Sequence, residues 1–168
     1  MIKFFKESDE VLYTNEDFVC ITNKDLFELK QLSDQNIRQR VRFCAHKDPG
    51  NLLHEMLIVH TKECYVRPHF HIDKPESLHV VEGQADLIIF DKSGKITNVL
   101  NLSNVFNKGF FYYRIKENTI HMLIIKSDYF IFHESTKGPF KRENTKFPSW
   151  APKGDLISDN SFIRNLKY

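Results

Sequence analysis

Only three cysteines occur in 168 residues, Cys20, Cys44 and Cys64. An odd set without paired spacing excludes a disulfide framework and reads as free thiols in a reducing cytoplasm. No apolar run reaches the ~18 residues of a membrane span, so no membrane partner is expected. The stretch Met1 to Lys6 is too short and too interrupted for a secretory signal, and the expected location is cytoplasmic. An excess of one charge is also missing. The chain carries 24 basic and 22 acidic residues, with the lysines scattered along it. A nucleic-acid footprint would need a clustered basic excess, so no nucleic acid is expected as a partner. Internal repeats, low-complexity tracts and linkers are absent, and one domain is expected over residues 1–168. A chain of this length buries roughly 70% of its unfolded surface, enough for one good core. Fifteen Phe and six Tyr supply bulky material for it.

The pattern along the chain is mainly β. Val11 to Thr14 and Phe18 to Thr22 flank Asn15-Glu16-Asp17 and predict a hairpin. Thr22 or Asn23 caps a short helix from Lys24 to about Leu32, with Leu26, Phe27 and Leu29 facing the barrel. Strands then follow in close succession. They are expected at Val41 to His46, Leu52 to Val59, Glu63 to His71, Glu76 to Glu82, Ala85 to Asp91, Lys95 to Leu102, Phe110 to Ile115, Thr119 to Lys126 and Tyr129 to Glu134. Many short strands at regular spacing predict a double-sheet sandwich or barrel. The expected divisions are a hairpin and helix over 1–34, a barrel over 40–134 and a C-terminal strap over 135–168. The strap is loop-rich, punctuated by Pro139, Pro148 and Pro152, with a last short helix from about Ser161 to Leu166. It is expected to wrap the barrel and bury Trp150, or to wall the pocket mouth through Phe140.

The densest chemical signal is His69-Phe70-His71, followed by Glu76 and Gly83. Residues two apart on a strand share a face, so both imidazoles aim at one point. Glu76 opens the next strand after the Lys74-Pro75 turn, and His121, at the start of a β-prone run, is the candidate fourth ligand. Three nitrogens and one oxygen suit a single divalent transition metal, one of Fe, Mn, Ni, Co or Zn. Tyr65 and Arg67 share parity with the two histidines and are expected to point inward with them. Arg67 is a candidate clamp for a substrate carboxylate or phosphate, or the partner of a glutamate such as Glu134. Tyr65 is a candidate proton donor or a core phenol. Of His133 and Glu134, only one can face inward.

The spacing of His69, His71, Glu76 and Gly83 resembles the first signature motif of the cupin superfamily. His121 would be the histidine of the second motif, whose usual Pro, Gly and Asn are Lys116, Asn118 and Ile125 here. A narrower set resembles the WbuC family of cupin-fold metalloproteins. It comprises Arg38-Gln39-Arg40, Cys44, His46, Glu55 to Ile58, Tyr65 to His69, Phe90-Asp91, Gly94, Glu134, Gly138-Pro139-Phe140 and Trp150-Ala151-Pro152. This likeness runs from about residue 24 to 152. It implies a jelly-roll β-barrel, a metal held by His69, His71, Glu76 and His121, and an inward Glu134. Arg67, Tyr65 and Glu134 are together the expected substrate-binding residues. It also implies a setting in bacterial surface-polysaccharide (O-antigen) biosynthesis.

The leading expectation for function is Lewis-acid isomerisation or epimerisation of a small sugar or sugar nucleotide. Fe(II)-dependent oxygenation of a small polar substrate is the alternative. A non-catalytic sugar-binding or regulatory module with a structural metal is a third. The catalytic base is left open. A homodimer is a further expectation, through addition of the N-terminal hairpin to a neighbour's sheet edge.

Overall fold

The structure is a computed structural model that describes residues 2–156 and 161–166, with Arg164 described by its backbone alone. Twelve strands and two α-helices are present among them. In chain order they are β1 (Phe5–Lys6), β2 (Val11–Tyr13), α1 (Asn23–Gln35), β3 (Arg40–Cys44), β4 (Leu53–Thr61), β5 (Phe70–His71), β6 (Glu76–Glu82), β7 (Gln84–Phe90), β8 (Ile96–Ser103), β9 (Tyr112–Ile115), β10 (Ile120–Ile125), β11 (Tyr129–Lys137), β12 (Thr145–Lys146) and α2 (Ser161–Asn165). The expected mainly β architecture, with a short N-terminal helix and a loop-rich C-terminal strap, is what the chain forms.

Seven strands make one sheet in the order β1-β2-β3-β4-β11-β6-β9, all antiparallel except β2 with β3. The second sheet is β10-β7-β8, and a bridge between His69 and His121 adds the β5-β12 pair to its edge. The two sheets face each other across a core that includes Met56, Ile58, Val80 and Phe132 from the long sheet. Ala85, Leu87, Leu123 and Ile125 come from the short one. Period-2 alternation then dictates a second buried layer behind each sheet. Behind the long sheet, Leu12, Val41, Phe43, Val59 and Ile131 pack with Leu29 of α1. Behind the short sheet, Ile88, Phe90, Met122 and Ile124 pack with Trp150 and α2. Both faces of β10 are therefore covered, and all six of its residues are buried.

Several local features depart from the sequence expectation. Residues 18–22 form no strand, and the N-terminal hairpin instead pairs β1 with β2, Phe5 opposite Tyr13. Thr22 is the cap of α1, in a reciprocal capping box with Asp25. The helix presents Leu26 and Leu29 to the sheet but leaves Phe27 exposed, because Phe27 falls outside the stripe that i, i+3 and i+4 neighbours share. The strand expected over Glu63 to His71 is reduced to β5 with isolated bridges at Cys64 and His69. The hairpin from β6 to β7 turns on Gly83 at φ 86°, where a Cβ would collide with the Tyr129 carbonyl oxygen.

Candidate metal centre

Sheet register carries the candidate ligands to one end of the interior. The bridge between His69 and His121 is a reciprocal backbone pair, at 3.0 and 2.9 Å, which sets both rings side by side. His71, two residues on, shares their face. On the facing sheet, Glu76 sits opposite Thr136, and its buried carboxylate reaches across. Glu76 Oε2 lies 3.2 Å from His71 Nε2, and Oε1 lies 3.2 Å from His121 Nε2. The donor nitrogens of His69, His71 and His121 all lie within 4.8 Å of one another, a triad that could hold a metal ion. Donors at about 2.1 Å from one cation are necessarily about 3–4 Å apart, so this spacing is of the right size.

Each imidazole is oriented from behind. His69 Nδ1 is 2.8 Å from the Arg67 carbonyl oxygen and His121 Nδ1 is 2.9 Å from that of Thr119. His71 Nδ1 is 3.1 Å from Thr145 Oγ1 on β12. Two Nδ1–H groups thus donate to carbonyls, which leaves the Nε2 lone pairs facing the triad, the tautomer a metal requires. Glu76 Oε1 accepts a hydrogen bond from Tyr113 at 3.0 Å.

The electrostatics favour a cation here. Burial opposes ionisation of Glu76, but His121 and His71 outweigh it and hold the carboxyl well below its ordinary range. Burial likewise opposes protonation of His121, yet the Glu76 charge and hydrogen bond raise it. His69 is pushed well down by burial and by the two neighbouring imidazoles. With Nδ1 already donating, His121 can face a carboxylate at 3.2 Å only as an imidazolium or with another cation between them. The donor set fits a divalent metal.

The remaining expected site residues divide. Glu134 faces inward, opposite Met56 and Leu78, whereas His133 faces out and pairs with Glu55. Burial and the Glu76 charge raise the Glu134 carboxyl, against the opposing pull of Arg42 and Lys74. Tyr65 and Arg67 are placed differently from expectation. The irregular backbone at residues 65–68 breaks the strand parity that was to aim them inward. Tyr65 packs behind the short sheet, and its hydroxyl donates to the Pro152 carbonyl at 3.0 Å. The Arg67 guanidinium donates twice to the Ala151 carbonyl, at 3.1 and 2.8 Å, and stacks on Phe147 at 4.3 Å. Both side chains anchor the strap. Phe147 in turn stands 6.3 Å from the His69 ring and walls the site. Trp150 packs on Phe90 and fills the space that Gly94 leaves.

Sequence reading missed four residues. Tyr113 and Thr145 orient ligands from 37 and 74 residues away, with no local signal. Arg42 faces inward on β3 opposite Ile58. Lys74 lies between the second His and the Glu of the motif, a position that was itself a clue. An apolar hollow of about 360 Å³, lined in part by Val19, Leu26, Phe43 and Leu57, lies behind the long sheet and has no part in this centre.

A family model described as a domain of unknown function (DUF6016) matches residues 21–102. That is just under half of the chain, and it includes His69, His71 and Glu76. Comparison with curated proteins found no match. Solved structures of similar shape include oxalate decarboxylase from Bacillus subtilis, at 14% identity and TM-score 0.47 over 58% of this chain and 24% of that one. KdgF from Halomonas sp. is similar at 15% identity and TM-score 0.46, over 62% of this chain and 82% of that one. Procruciferin, an 11S globulin from Brassica napus, is similar at 15% identity and TM-score 0.44 over 56% of this chain. The chain spans only 22% of that globulin's length. At such distances the chemistry of this chain rests on its own side chains.

Proposed function

We propose that this chain is a metal-binding cupin that acts on a small polar, sugar-derived substrate by moving a proton beside a polarised carbonyl. The observation that carries the reading is the convergence of three imidazoles and Glu76, each ligand oriented from behind. A divalent metal held by His69, His71, His121 and Glu76 would supply Lewis-acid polarisation. Glu134 is the group placed to take and return the proton. It is inward-facing, and its raised carboxyl brings its basicity closer to neutral pH. Phe147 and the strap held by Arg67 exclude water from one side. The surface-polysaccharide setting and a cytoplasmic location are supported by the resemblance to WbuC proteins and by the free thiols.

Elemental analysis of the purified protein tests the reading. About one transition metal per chain is expected, lost in His71→Ala and His121→Ala. Wild-type protein that takes up none of Mn, Fe, Co, Ni or Zn would sink it. Affinity should fall as pH drops below about 6.5, because a protonated imidazole cannot ligate. Turnover that persists under argon supports isomerisation, while an absolute need for O₂ and iron would replace it with oxygenation.

A further inference from the structure

We infer that the interior beside the metal centre holds a second subsite, formed by Arg42 and Lys74, that binds a carboxylate or phosphate group of the substrate. The inference rests on the metal-centre reading for its location and adds the substrate's charge to it. Arg42 shares the inner face with Ile58 and Cys44, both members of the central core. Its Nε is buried with no hydrogen-bond partner, and among the described residues the guanidinium has no carboxylate within 4 Å. A guanidinium in that condition is costly unless an anion completes it. Lys74 is the second cation, half-buried in the β5–β6 turn between His71 and Glu76, with its ammonium 5.9 Å from the centre of the Phe140 ring. Among the described residues it too forms no ion pair.

The two cations act on the same interior group. Glu134 lies within electrostatic range of both, and Lys74 also senses Glu76 and Arg42. Among the described residues Glu134 makes no hydrogen bond or ion pair of its own, so it does not neutralise either cation by contact. Taken alone, Glu76 and Glu134 balance Arg42 and Lys74. A divalent cation on the ligands tips the interior to net positive, which a neutral sugar does not answer and an anionic one does. The planar Arg fork and the point charge of Lys are the usual pairing for carboxylate and phosphate oxygens. A substrate carbonyl at the metal and an acidic group between Arg42 and Lys74 would leave Glu134 alongside the atoms between them. A sugar acid or a sugar phosphate has this layout.

Calorimetric titration of the purified protein, with metal content measured on the same samples, tests the subsite. The probes are inorganic phosphate, glucuronate and neutral glucose. At least one anion should bind, with glucose at least about tenfold weaker. Arg42→Met and Lys74→Met should each weaken the anion by about tenfold or more, the scale of one charge-assisted hydrogen bond, with metal content unchanged. Lys108→Met, on an exposed loop, should change nothing. Binding of phosphate without glucuronate, or the reverse, identifies which acid the site takes. Glucose binding as tightly as either anion, no anion binding, or full affinity in both variants overturns the inference. If Arg42→Met does not fold, Lys74→Gln in the turn decides alone. Anion binding that depends on Lys74 in a protein that takes up no metal would refute the metal reading and leave the subsite standing.

Discussion

Thr145 shows how much a single distant hydroxyl decides at this site. It sits on a two-residue strand, yet among the described residues it alone engages His71 Nδ1. Without it the ring can rotate or switch tautomer. Thr145→Ala should therefore weaken metal binding by about tenfold or more, measured by competition with a chromogenic chelator, while the far-ultraviolet spectrum is unchanged. Tyr113→Phe removes the hydrogen bond to Glu76 Oε1 and should produce a similar loss. A full-affinity Thr145→Ala protein would show that ring packing, not this bond, orients His71. The candidate ligands themselves were readable from the chain, because the alternation of a strand puts positions 69 and 71 on one face whatever the fold. Their supporting partners were not, since nothing local links residue 71 to residue 145.

At the scale of elements, helix and strap have separable roles. The Thr22 side chain caps α1 and accepts from Asp25 N–H, while Asp25 accepts from Thr22 N–H at 2.8 Å. Thr22→Ala should cost about 1 kcal/mol in urea unfolding and leave metal affinity untouched, because α1 packs behind the long sheet. The strap is different. Arg67 ties Ala151 and stacks on Phe147, which itself borders His69. Arg67→Ala should speed amide hydrogen exchange over residues 147–152 by an order of magnitude or more, with little change in the sheets. Unaltered exchange there would mean that Trp150 holds the strap unaided. The helix cap was legible as Thr22 or Asn23 in the sequence, while the reciprocal bond from Asp25 came only with the fold. The role of Arg67 was not, since it depends on an irregular backbone at 65–68 that strand parity could not foresee.

For the whole molecule, buried histidines set the response to pH. Burial lowers His46 and His54 below the ordinary imidazole value, and His60 well below it. Folded chains therefore reject protons that unfolded chains accept below about pH 6.5. Stability is full above that value and is lost as pH falls towards the folded values, by up to about 1.4 kcal/mol per pH unit for each histidine. His121 runs the other way. Its raised value stabilises the metal-free protein below about pH 6.5, and that contribution fades as pH rises. Glu76, held low, contributes above about pH 4.5 and loses its contribution only in acid below that. Burial also holds His69 low, so four histidines run against His121 and the raised Glu134, and urea midpoints of the metal-free protein should drop between pH 7.5 and 5.5. A midpoint that is flat or rises towards pH 5.5 would contradict the burial of these rings.

The primary structure by itself determined the mainly β class, a helix start at Thr22 or Asn23, most strand positions and the local set of candidate ligands His69, His71 and Glu76. Each follows from short-range rules of alternation, capping and spacing that a chain carries wherever it folds. Only the tertiary structure decided that His121 meets that set across a bridge, that Thr145 and Tyr113 orient it, and that Arg42 and Lys74 look into the same interior. Those relations depend on register between strands far apart in the chain, and register is chosen by which faces the whole molecule manages to bury.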